Sequence, residues 1–141
     1  RIQSMTKDGR DRSVGHKKLG LHAAPGSKEA EFLPEVAPKG DEIIINKTAS
    51  GVFNSTNTEF VLRNMGIDSL YVCGVYTNEC VSTTVRDACD RGFHTTMIND
   101  ACATVTPELH NATISTIKDR YARVMTAQEV LTEIRKAEKN E

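Results

Sequence analysis

Four short runs of strand-forming residues recur along this chain, and helix-start signals punctuate them. Ile43, Ile44 and Ile45 make residues 42–45 a continuously apolar run, as a parallel strand buried on both faces requires. Residues 70–75 read as a second buried strand, residues 94–98 as a third and residues 122–125 as a last. Thr56 and Glu59 stand at capping-box spacing and start a helix through Phe60, Val61 and Met65 that Gly66 ends. Residues 80–91 form a helix with Val81, Val85, Ala88 and Cys89 on its apolar side. Thr106-Pro107-Glu108 opens another, with Pro at the first helical position, burying Leu109, Ala112, Ile117 and Tyr121. Thr126 and Glu129 form a second capping box, with Val130, Leu131 and Ile134 turned inward. Strands alternating with helices of crossover length give a parallel sheet covered by helices, an α/β sandwich. In such sheets ligands bind outside the carboxyl ends of the strands.

Residues 5–40 are rich in Gly, Pro, Lys and Asp and read as irregular, with one helical turn near Ser27 to Ala30. The 141 residues suit one domain, 1–141. The chain opens Arg1-Ile2-Gln3-Ser4 without an initiator Met, as if cut from something longer. A net charge of −1 without a basic stripe, and aromatics at 5%, exclude a nucleic-acid binder. The longest apolar run, residues 70–76, is too short for a membrane span. Cys73, Cys80, Cys89 and Cys102 form no CxxC pair, which points to thiols in a reducing compartment, the cytoplasm. His16, His22, His94 and His110 lack HxH or HExxH spacing; no metal or cofactor is expected. His94 and His110 read as surface or satisfied core histidines.

Cys80 is the first candidate for chemistry. A helix beginning near Thr77 or Asn78 puts its thiol in the first turn, where N–H groups and the dipole favour the thiolate and could hold an oxyanion. The alternative is a small buried hydrophobe, the reading given to Cys73 in mid-strand, Cys89 on a core face and Cys102 in a loop. Lys47 closes the first run, where it either binds an anion or is a solvated strand-end lysine. Asp100, after the third run, is an acid or a cap, and the cap is the simpler reading.

Lys47 to Ser50, Phe53 and Thr56, then GVYTNECV at 74–81, STTVRDA at 82–88 and DACA at 100–103, together resemble the isochorismatase-like cysteine hydrolases. The resemblance runs from Arg1 to about Leu131, and residues 8–13 and 50–54 look most like members of the ureidoacrylate and amide-hydrolase type. It implies a three-layer α/β/α sandwich around a mostly parallel, Rossmann-like sheet, and an Asp-Lys-Cys catalytic group. It makes Cys80 the nucleophile and Lys47 the catalytic lysine. It puts a cis peptide at Val75–Tyr76, the backbone N–H groups of Tyr76 and Cys80 at the oxyanion, and Phe53 and Asn78 in the substrate pocket. A small amide or ureide is the implied substrate, cleaved through a thioacyl-enzyme, and a homo-oligomer the implied assembly.

The chain departs from that pattern at its start. The family's first strand, which carries the aspartate, and its first helix have no counterpart here, and Asp8 and Asp11 do not match the motif. Some members hold a metal with Asp and His residues; His16 and His22 fall in that region without the ligand spacing. Two other readings therefore stand beside amide hydrolysis. One is cleavage of an isochorismate-type vinyl ether, the other a catalytically incomplete relic or assembly module.

Overall fold

From residue 69 onward the strand-forming runs pair in parallel in the computed structural model, which describes residues 1–139. Strands β1 (Ser69–Val75), β2 (His94–Ala103) and β3 (Arg123–Met125) form one sheet in the order β1-β2-β3. The helices are α1 (Val14–Lys18), α2 (Thr58–Asn64), α3 (Ser82–Asp90), α4 (Pro107–Ile117) and α5 (Ala127–Glu138). The chain divides into two units, Arg1–Thr58 and the part from Glu59 onward.

The second unit is α/β. Ser69 pairs with His94 and Val72 with Met97, while Thr96, Met97 and Ile98 pair with Arg123, Val124 and Met125. After Val72 the register of β1 and β2 slips: Gly74 lies opposite Cys102, so Cys73 alone faces the stretch from Ile98 to Ala101. Helices α3 and α5 both pack on β2, and α3 also packs on α4. Val81, Val85, Met97, Ile117 and Ala122 make the core, with Val72, Ile114, Tyr121 and Val124 packed against it. Thr106 caps α4 by accepting from the Leu109 N–H, and Thr126 and Glu129 close their capping box on α5. Gly66, at φ +70°, ends α2 in the left-handed conformation that glycine adopts at least cost.

Several sequence expectations change here. β1 alternates exposed and half-buried residues rather than being buried throughout: the face that carries Tyr71 and Val75 stands exposed, and the other is half-covered. β2 runs on to Ala103, so Cys102 is in a strand and not a loop, and Asp100 is inside it. Asp100 still acts as a cap: its carboxylate accepts from the Ala127 N–H at 2.7 Å, at the start of α5. Leu109 and Ala112 are exposed on α4, as are Leu131 and Ile134 on α5, since one narrow stripe of each helix meets the core, at Ile117 and Val130. Helix α2 starts at Thr58, and Thr56 spends its hydroxyl on the Val52 carbonyl at 2.6 Å rather than on a Glu59 capping box. Glu59 instead pairs with Arg91 at 3.1 Å.

The first unit is mostly turns. Short 3-10 turns occupy Lys28–Ala30 and Pro34–Val36. Residues 42–46 form no strand; Ile2 and Lys47 share a single parallel bridge, with the Lys47 N–H donating to Arg1 O at 2.9 Å. Ile43 and Ile44 are more than half exposed, the opposite of the double burial expected of them. Within this unit the run pairs with Arg1 to Gln3, and an apolar run is buried on both faces only where layers cover both. No helix among the described residues is long and apolar enough to cross a membrane.

Candidate functional site

β1 delivers the chain straight into a π-helical turn, Thr77–Val81, which runs on into α3. The Tyr76 carbonyl accepts from the N–H groups of both Glu79, at 3.1 Å, and Val81, at 3.2 Å, and the Thr77 carbonyl accepts from that of Ser82. Such wide turns are frequent at functional positions. Cys80 sits in this turn, half-buried, past the carboxyl end of β1 where α/β sheets bind ligands. The Val75–Tyr76 peptide bond that leads into it is cis.

The turn is anchored from several directions. The Asn78 carbonyl accepts from the Ser82 hydroxyl at 3.2 Å, and its side-chain oxygen accepts from the Thr104 hydroxyl just after β2. Thr77 is fully buried. Its hydroxyl lies 2.9 Å from His110 Nδ1, and His110 Nε2 lies 2.8 Å from Asn99 Oδ1. The tautomer with Nε2–H donating to Asn99 leaves Nδ1 to accept from Thr77, so both ring nitrogens are satisfied. His110 is thus a satisfied, half-buried histidine. The links from Thr77 to His110 and from Asn78 to Thr104 escape the sequence reading, because nothing in their spacing marks contacts 33 or 26 residues apart.

Cys102 is poorly suited to attack: burial pushes it up to about 11, reinforced by Cys73 and Asp100 and opposed by a hydrogen bond from Gly74. It stays protonated at neutral pH. All four cysteines stand as thiols.

Lys47 and Phe53 belong to the first unit. Lys47 is buried, with 9% of its surface exposed, so it is not the solvated lysine of a strand end. Its Nζ donates to the carbonyls of Ala49 at 2.9 Å and Ser50 at 2.8 Å, which curl the following loop around the ammonium. That charge is fixed in direction by neutral dipoles. Phe53 is buried in the same loop. The Thr48 carbonyl accepts from the Ser13 N–H at 2.9 Å and lies 3.3 Å from Nδ1 of buried His16. His22 is exposed, and among the described residues no three His, Cys, Asp or Glu side chains gather as metal ligands. Tyr76, Asn78 and Cys80 therefore share one turn, while Lys47 and Phe53 share one loop.

Residues 3–129 match the isochorismatase domain. The isochorismatase family protein YwoC of Bacillus subtilis is 34% identical, the match covering 75% of this chain and 56% of that protein. The ureidoacrylate amidohydrolase RutB of Acinetobacter baylyi is 33% identical, over 77% of this chain and 45% of that protein. This chain thus spans about half the length of those relatives. A cysteine hydrolase of Pseudomonas syringae superposes with a TM-score of 0.87 at 26% identity, over 96% of this chain and 71% of that one. On fold and sequence together, the chain belongs to the isochorismatase-domain family.

Proposed function

We propose that this chain carries the nucleophile and the catalytic lysine of a hydrolase that cleaves the C–N bond of a small amide or ureide. The observation that carries the reading is the seat of Cys80, in a wide first turn at the carboxyl end of β1. The Cys80 thiolate attacks the substrate carbonyl carbon, and the backbone N–H groups of Tyr76 and Cys80 hold the oxyanion. The C–N bond then breaks, the nitrogen leaves as ammonia or an amine, and water hydrolyses the thioacyl-enzyme. The proton lost by the thiol has to reach the leaving nitrogen. An aspartate does this in the resemblance, and no residue of the sequence matches it. The fixed ammonium of Lys47 supplies positive charge for such a carboxylate or for an anionic substrate. By the resemblance, Phe53 on the Lys47 loop and Asn78 on the Cys80 turn are each proposed as substrate-contacting residues, and the proposed assembly is a cytoplasmic homo-oligomer.

The test is ammonia release from a panel of small amides and ureides, with Cys80→Ala as control. Release that disappears in the control supports the reading. Release that persists in Cys80→Ala overturns it, as does absence of release together with Cys80 alkylation no faster than that of exposed Cys73.

A further inference from the structure

We infer that His110 is a positioning residue for the nucleophile turn, acting through Thr77; this rests on Cys80 being the nucleophile. His110 lies in the first turn of α4, where Pro107 and the Thr106 cap fix the helix start and the His110 N–H donates to Thr106 O at 3.2 Å. Its ring bridges two other segments, Thr77 at 2.9 Å on Nδ1 and Asn99 at 2.8 Å on Nε2. With both nitrogens engaged, the ring has one orientation.

Thr77 is the residue through which that orientation reaches Cys80. Its side chain is fully buried, so its hydroxyl needs a partner inside the protein, and His110 is that partner. Its carbonyl closes the π turn by accepting from the Ser82 N–H, and its nitrogen is bonded to Tyr76, whose carbonyl takes the N–H groups of Glu79 and Val81. Three of the backbone bonds that shape the turn around Cys80 thus end on the carbonyls of Thr77 and the residue before it. A nucleophile displaced by a fraction of an ångström loses much of its advantage. Thr77 is thus fixed from α4 and, through Asn99, from the displaced stretch of β2, in addition to its connection to β1.

The experiment is the rate of Cys80 alkylation by iodoacetamide in the whole chain, mapped by mass spectrometry with Cys73 as internal reference and thermal unfolding in parallel. Thr77→Val keeps the shape and removes the hydroxyl; His110→Phe keeps the ring and removes both nitrogens. Each is expected to change the Cys80 rate about ten-fold, and the double variant no further, because both cut one contact. His110→Asn puts an amide where Nδ1 was and His110→Gln where Nε2 was, so Asn restores more of the parent rate than Gln. Cys80 rates within about two-fold of the parent in both Thr77→Val and His110→Phe, or additive effects in the double variant, overturn the inference. A fall in unfolding temperature with the Cys80 rate unchanged also overturns it, leaving a purely structural contact. The two readings fail separately. A parent Cys80 no more reactive than Cys73 sinks the nucleophile, whereas a reactive parent Cys80 whose rate the variants leave unmoved sinks the positioning alone.

Discussion

The two units of this chain hold their key residues by different means. In the first, Lys47 is gripped by carbonyls two and three residues away, within a loop that contains no regular strand. In the second, the Cys80 turn is gripped by side chains 26 and 33 residues distant in sequence, carried on a sheet with an apolar core. Local hydrogen bonds cost little chain entropy to form but can open locally; long-range packing opens only with the whole unit. The lysine therefore depends on its immediate neighbours and the cysteine on the integrity of the fold.

Substitutions can break that comparison. Ile117→Ala removes a fully buried side chain from the second unit's core and is expected to cost about 2–5 kcal/mol in urea unfolding. A loss below about 1 kcal/mol would show that this core is not what holds the unit. Lys47→Met keeps the stem and removes the donors to Ala49 and Ser50, at an expected cost of about 1–3 kcal/mol. Hydrogen exchange should show faster opening confined to Arg1–Thr58, and loss of protection in the core amides at Val85 and Met97 would contradict the division drawn above.

Acid provides a gentler probe of the first unit. The Met5 N–H, the Thr6 hydroxyl and the Thr6 N–H all donate to the Asp11 carboxylate and hold it well below its ordinary value of 3.8. A carboxyl lowered in the folded state contributes its stability in full above that ordinary value and loses it as pH falls toward the folded one. The Met5 and Thr6 amide resonances should therefore hold steady down to pH 3.8 and move only below it. Movement centred at the ordinary value would mean that the loop does not grip the carboxylate. At the small end, Leu33→Ser, at a side chain 70% exposed, should change stability by no more than about 0.5 kcal/mol in the same urea experiment.

What the sequence disclosed follows the same division between local and distant. Helix α5 was legible because Thr126 and Glu129 carry their capping box within one turn, and α4 because the Thr106 cap and Pro107 mark its start within one turn. The core residues Val81, Val85 and Ala88 followed from helical spacing, and Cys80 from its place after a strand. The exposure of Ile43 and Ile44 was not legible, since burial of a strand depends on neighbours that its own residues do not name. Nor were the extension of β2 to Ala103 and the partners of Thr77, which are set by register and by contacts across the sheet.

The slipped stretch of β2 sets a rule about length rather than composition. Asn99 reaches His110 on α4 while its neighbour Asp100 reaches the start of α5, because successive strand residues face opposite ways. A single deletion or insertion between Met97 and Asn99 would exchange those directions, sending the amide toward α5 and the carboxylate toward α4. Related sequences should therefore vary more freely in what occupies this stretch than in how many residues it contains.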